Sequence, residues 1–361
     1  MGVNSFQLAG RCLLAAQVVA QRACVPETED DSDGEGGEAA RGAASRDPDV
    51  LQERVADVHR KMAHLYTMVL QVKHEELVLK EQGLPANHAS TLLDQQAGGG
   101  GDGPRFAPLG SGELPMADPR HLQGDFDTMR EVFKKFQGHA HRGLEVFVLD
   151  GFVTDHARLT QDVSRAYKYL ASFETDFKRK AAMHMRRVSS LEPLLEALGT
   201  KAYAALHKEL AYELGEIYTE LFDMKISRVQ EKTDQQKRRV KAGEVAKANR
   251  LLCGAIKSYG HFVSMYHQEN PSEDAIVKVE SAEVGPYLRA RFSRARLRAK
   301  LQEADRQEMA ATLTASQAEF QWLADNAKHH TSGLGDVSVF VEETRMAKEM
   351  ADLLKQRMEH L

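Results

Sequence analysis

The sequence has 361 residues, 42% of them hydrophobic and 28% charged, with a formal net charge of −5. That is enough chain to bury one or two sizeable cores, and so small a charge excludes a global field aimed at nucleic acid or a membrane surface. The three cysteines, Cys12, Cys24 and Cys253, are an odd and sparse set that argues against a disulfide framework and suits a reducing compartment such as the cytoplasm.

Residues 3–24 read as one helix, with Phe6, Leu8, Leu13, Leu14 and Val18 on a packing face. Its apolar stretch 13–20 lies between Arg11 and Arg22 and is broken by Gln17, which suits a buried helix rather than a signal peptide. No uncharged apolar run reaches the roughly 18–20 residues of a membrane span. Phe6 stands where a myristoylation signal wants Ser or Thr. Residues 25–47 form a loop, acidic and Gly-rich at its centre, where Glu27, Glu29, Asp30, Asp31, Asp33, Glu35 and Glu38 leave little apolar surface to bury. Pro48 opens a second helix, with Leu51, Val55, Val58, Met62, Leu65, Tyr66 and Val69 as its stripe, stopped by Gly83 and Pro85.

Residues 84–123, around AGGGGDGP, read as a flexible low-complexity linker between the segment 1–83 and a helical domain 124–361. Helix resumes at Phe126 with Met129, Val132, Phe133 and Phe136. Leu159, Val163, Ala166, Leu170, Phe173 and Phe177 then recur at helical spacing, which predicts one continuous spine. Thr154 or Asp155 is its candidate cap. Pro193 is expected to end or kink it near residues 190–192. At well over about 30 residues it is long against the usual 11–12.

After Gly199-Thr200, a helix to about Val229 carries Leu214-Gly215-Glu216-Ile217-Tyr218, the L-G-x-x-Y core of a tetratricopeptide first helix. The Gly allows close approach of a partner, and position 211, where the consensus wants Trp, is Ala211. A basic connection, Lys237-Arg238-Arg239, leads to a helix whose Ala255, Tyr259 and Phe262 match the second repeat helix. Pro286 opens another helix, and two more run over about 306–328 and 336–360. No strand pattern occurs. The fold class is all-α: a tetratricopeptide-like α-solenoid of antiparallel helix pairs with one long spine helix.

No motif for catalysis, cofactor or metal emerges. His74-Glu75 begins H-E-x-x-H, but Val78 occupies the second ligand position. Gly98, Gly100 and Gly103 satisfy G-x-G-x-x-G without a preceding strand. His139 with His141, and His329 with His330, lack a full first shell. The richest basic stretch is Arg289, Arg291, Arg294, Arg296, Arg298 and Lys300. Its residues 291, 294 and 298 share a helical face, which either pairs with acids on a neighbouring helix or offers an RNA- or membrane-adaptor surface.

DGFVTDH, LASFETDFKRK and MHMRRVSSLEPL, in this order between Asp150 and Leu194, resemble the C-terminal region of the KIF-binding protein family. The resemblance is gapless over about 126–198 and looser to Leu361. It implies a non-enzymatic helical scaffold that grips kinesin motor domains and keeps them off microtubules, regulating organelle transport and mitotic motors. It also implies further repeats ahead of this region, so that residues 1–24 have the character of a helix from the middle of a repeat array. The scaffold is expected to act as a cytoplasmic, cytoskeleton-associated monomer with no cofactor, nucleic acid or membrane insertion. A kinesin's microtubule-binding side is basic, which makes the acids of residues 27–38 candidate partner contacts. On the exposed polar side of the spine, Lys168, Glu174, Asp176 and Arg179 are candidates of the same kind.

Overall fold

The structure is a computed structural model; it describes residues 48–84, 122–236, 239–267, 277–303, 305–327 and 337–360. The helix expected over 3–24, the acidic loop, nearly all of the linker, and His329 and His330 lie outside these residues. The described residues are helical with no strand. The helices are α1 Pro48–Glu81, α2 Phe126–Val146, α3 Val153–Ser172, α4 Phe177–Ala197, α5 Ala204–Gln236, α6 Ala242–Ser264, α7 Ser281–Arg298, α8 Arg306–Asn326 and α9 Val341–Glu359, with a short 3-10 turn Ser338–Phe340 before α9. No helix among the described residues is long and apolar enough to cross a membrane.

The chain divides into two compact units, Met1–Arg186 and Arg187–Leu361, with the boundary inside α4. In the first unit α1 packs against both α2 and α3, although composition separates it from them by a low-complexity stretch. Pro48 stands at the first helical position of α1, where its missing N–H is no loss. The helix ends in a Schellman motif: Leu84 N–H reaches the Leu79 carbonyl at 2.9 Å, Gly83 N–H reaches the Lys80 carbonyl at 3.1 Å, and Gly83 has φ +70°. Asp125 caps α2, its carboxylate accepting from Thr128 N–H at 2.9 Å. Met62, Leu65, Val69, Met129, Phe133, Phe136, Leu159 and Leu170 form the shared core.

In the second unit, side-chain contacts pair each helix from α5 to α9 with its successor in antiparallel order. His207 meets His261 while Gly254 meets Tyr218, and Arg294 meets Glu319 while Tyr287 meets Trp322. The core joins Leu252, Phe262, Tyr287, Leu288, Phe320, Leu323 and Phe340.

Three boundaries differ from the sequence expectation. The spine is two helices, α3 and α4, interrupted at residues 173–176. The α3 N-cap is Phe152, without a side-chain cap bond, rather than Thr154 or Asp155. Pro193 and Pro286 both sit inside helices, α4 and α7. Leu191, Leu194 and Leu198 are buried, so tertiary packing carries α4 past the single backbone bond that Pro193 removes.

Candidate partner-binding site

The turn between α3 and α4 contains two of the candidate residues, Glu174 and Asp176, and Arg179 follows in the first turn of α4. Glu174, expected on an exposed polar side, is buried at 4% relative exposure. Its carboxylate accepts from Asp176 N–H at 2.8 Å and from the Arg179 guanidinium at 2.9 and 3.0 Å. Asp176 is exposed and its Oδ1 accepts from Arg179 N–H at 2.8 Å, which is how a helix N-terminus is capped. These two carboxylates offer the backbone of Ser172-Phe173-Glu174-Thr175-Asp176 an alternative to continued helix, and the predicted spine breaks there. Arg179 is exposed, with its guanidinium 5.4 Å from the Phe126 ring centroid. Lys168 is half-buried on α3. The surface at this turn is therefore Asp176 and Arg179, with Glu174 as the buried group that orients the arginine. The acids from Glu27 to Glu38 lie outside the described residues.

The basic helix α7 resolves in favour of internal pairing. Arg291 and Arg294 are each 2% exposed. Arg294 Nε donates to Glu319 of α8 at 2.9 and 3.0 Å, Arg298 donates to the same carboxylate at 3.0 Å, and Arg291 Nε lies 3.5 Å from it. The Arg291 guanidinium also lies 3.6 Å from the Trp322 ring centroid. The face shared by these three arginines is thus interior, and only Arg289, Arg296 and Lys300 of the stretch are exposed. Sequence reading missed Glu319 as the hub. It stands on the apolar side of α8, one residue before Phe320, and that placement was the available signal.

Arg187, also missed, is 1% exposed and reaches Glu220 at 3.0 Å and Glu213 at 3.5 Å on α5. The signal was its place among Met183, Val188 and Leu191 on the buried stripe of α4.

The L-G-x-x-Y pair behaves as the spacing predicts. A Cβ on Gly215 would stand 2.7 Å from the Tyr259 ring, and one on Gly254 would stand 2.8 Å from the Tyr218 ring. Tyr218 Oη donates to Glu192 at 2.6 Å, and burial with that carboxylate pushes its ionisation up. Ala211, in place of the consensus Trp, is fully buried.

Two imidazole pairs cross helix pairs. His59 and His139 face each other through Nδ1 at 2.8 Å in the first unit. In the second, His207 Nε2 donates to the Leu198 carbonyl at 2.9 Å, leaving its Nδ1 to accept from His261 Nε2 at 3.1 Å. Burial, then the facing His59, pushes His139 down to about 4. Burial and His207 lower His261. Among the described residues no three His, Cys, Asp or Glu side chains gather as a metal shell. His74 instead packs its ring 5.4 Å from Tyr169.

Compared with known proteins, residues 1–361 match the family described as KIF-1 binding protein C terminal. The chain belongs to the KIF-binding protein family. The KIF-binding protein of Gallus gallus is 32% identical over 237 residues, covering 66% of this chain and 38% of that protein. The one from Homo sapiens is 31% identical over 240 residues, covering 65% of this chain and 36% of that protein. The one from Mus musculus is 28% identical over 374 residues, covering 98% and 56%. The chain therefore spans between about a third and somewhat over half of the length of these KIF-binding proteins. A solved structure of kinesin binding protein covers 98% of this chain and 77% of its own, with 21% identity and a TM-score of 0.42.

Proposed function

We propose that this chain is part of a non-enzymatic α-solenoid scaffold that binds kinesin motor domains and blocks their attachment to microtubules. The observation that carries the reading is the match of residues 1–361 to the KIF-1 binding protein C-terminal family, whose relatives are named for binding KIF proteins. The all-helical described residues, stacked in antiparallel order from α5 to α9, support a scaffold with long helix faces for a partner.

The mechanism is steric and electrostatic. The seven acids of residues 27–38 meet the basic side that a motor turns toward its acidic track, raising the association rate and selecting the docked orientation. Asp176, Arg179 and Lys168 form a second polar contact region. The scaffold works as a cytoplasmic monomer, and by holding motors it regulates organelle transport and mitotic motors. An adaptor for RNA or an acidic membrane through α7 is disfavoured, since Arg291, Arg294 and Arg298 are turned onto Glu319.

The test is microtubule co-sedimentation with a panel of purified kinesin motor domains while this chain is titrated in. The expected result is one motor moving from pellet to supernatant at a stoichiometric amount of chain. If every motor stays in the pellet, and also fails to bind the chain in a pull-down without microtubules, the reading is overturned.

A further inference from the structure

The second unit carries a groove that the proposed motor contacts do not use. It lies between the C-terminal half of α5 and the first half of α6, and encloses about 520 Å³. Phe222, Val229, Ala248, Leu252 and Leu301 make an apolar, buried floor. Ile226 and Val245 line the walls half-buried, and Val240 stands 47% exposed at the lip.

One end of the groove is built and basic. Residues 299–302 close it, and Asn249 fixes them: its Nδ2 donates to the Gln302 carbonyl at 2.8 Å while its Oδ1 accepts from Gln302 N–H at 3.2 Å. The exposed Arg357, at the end of α9, donates to the Ala299 carbonyl at 3.3 Å. That carbonyl is a neutral acceptor, and among the described residues no carboxylate pairs with Arg357. Lys300 stands at the same end, 3.6 Å from Asp223, a loose contact for an ion pair. The other acid lining the groove, Glu244, already accepts from Lys241 N–H at 3.0 Å as part of the α6 capping box.

We infer that this groove docks the apolar face of an acidic amphipathic helix from a protein partner. A trough of this volume takes roughly two or three large apolar side chains, with the helix backbone lying across its open side. A carboxylate at one end of that helix meets Arg357 and Lys300, and the charge fixes the direction in which the helix lies. The two helices that make the walls are held together by the Gly215–Tyr259 and Gly254–Tyr218 contacts, so the groove is formed before the partner arrives.

The test uses a fluorescein-labelled helical peptide with leucines at i, i+4 and i+7 and glutamates beside one end, titrated with the full chain and read by fluorescence anisotropy. A second peptide carries lysines in place of the glutamates. The expected result is saturable binding of the glutamate peptide, with the lysine peptide weaker by about tenfold. Arg357→Glu reverses that preference, and Val240→Asp weakens both peptides. Both positions are exposed, and circular dichroism melts that match the parent chain show that the fold is kept. Failure of the glutamate peptide to bind, or equal binding by the parent chain and both variants, overturns the inference. Self-association of the chain that Val240→Asp abolishes makes a second copy the occupant and overturns it too. Because the peptide assay contains no kinesin, its outcome is separate from that of the co-sedimentation test.

Discussion

Gly215 and Tyr259 meet where no side chain fits: a Cβ on Gly215 would lie 2.7 Å from the tyrosine ring, and Gly254 repeats the arrangement against Tyr218 at 2.8 Å. Two opposed effects bear on Gly→Ala there. Helix propensity favours alanine by about 1 kcal/mol, while overpacking a core costs about 1–3 kcal/mol. The ring of Tyr259 is 4% exposed and packs against Tyr212, so it has little room to move and overpacking wins. Gly215→Ala and Gly254→Ala are each expected to lower the melting temperature by several degrees. Gly138→Ala, on the exposed face of α2 with nothing within 4 Å of its Cβ, is expected to raise it slightly. Circular dichroism melts of the three variants check the sign.

Glu319 collects three arginines, two of them 2% exposed. Removing one partner of a buried ion pair leaves charge uncompensated, at a cost of about 3–5 kcal/mol. Glu319→Gln keeps the shape and removes the charge, so it is expected to lose a large part of that stability. Trp322 is the chain's one tryptophan and lies against Arg291, so its fluorescence during urea unfolding reports on this unit directly. An unchanged urea midpoint would show that the cluster is electrostatically neutral to folding.

His59 and His139 are expected to make the first unit sensitive to acid. Burial, then Arg142, lowers His59 against an opposing pull from Glu145, and burial with His59 takes His139 to about 4. The Tyr66 ring also packs on His139, 5.7 Å away. A depressed histidine binds fewer protons in the folded state than in the unfolded one. Its stabilising contribution is therefore complete above about pH 6.5 and is lost as pH falls toward 4. Urea midpoints are expected to fall between pH 7 and pH 5, and His139→Leu is expected to flatten that fall. The same slope in parent and variant would place the acid sensitivity elsewhere.

The acidic segment tests the proposed electrostatics. Replacing Glu27, Glu29, Asp30, Asp31, Asp33, Glu35 and Glu38 by their amides is expected to slow association with a responsive motor domain about tenfold at low salt and to reduce its salt dependence, with little change in dissociation. Stopped-flow mixing at two ionic strengths separates the two rates. An unchanged association rate would remove this segment from the contact.

The patterns that the sequence carries match the structure where their cause is local. Pro48 and Gly83 frame α1 because missing N–H groups and positive φ belong to those residues themselves. The stripe of α2 follows from a 3.6-residue period, and Gly215 with Tyr218 announced a close helix pair because only a missing side chain admits a ring at that distance. The predicted continuous spine differs from the two helices of the structure because apolar periodicity runs through Phe173 and Phe177, while the carboxylates of Glu174 and Asp176 end one helix and start the next.

The sequence by itself determined the all-helical class, most helix positions, the repeat-like hairpin and the family, since each is written in short-range order along the chain. Only the tertiary structure decided that Arg291, Arg294 and Arg298 face inward, that Glu174 is buried, and that an apolar groove ends at Arg357. Those outcomes depend on which side of a helix meets its neighbour. A charge on a helix reads the same in sequence whether it faces water or a carboxylate 25 residues away, and the difference between the two is the desolvation that packing alone imposes.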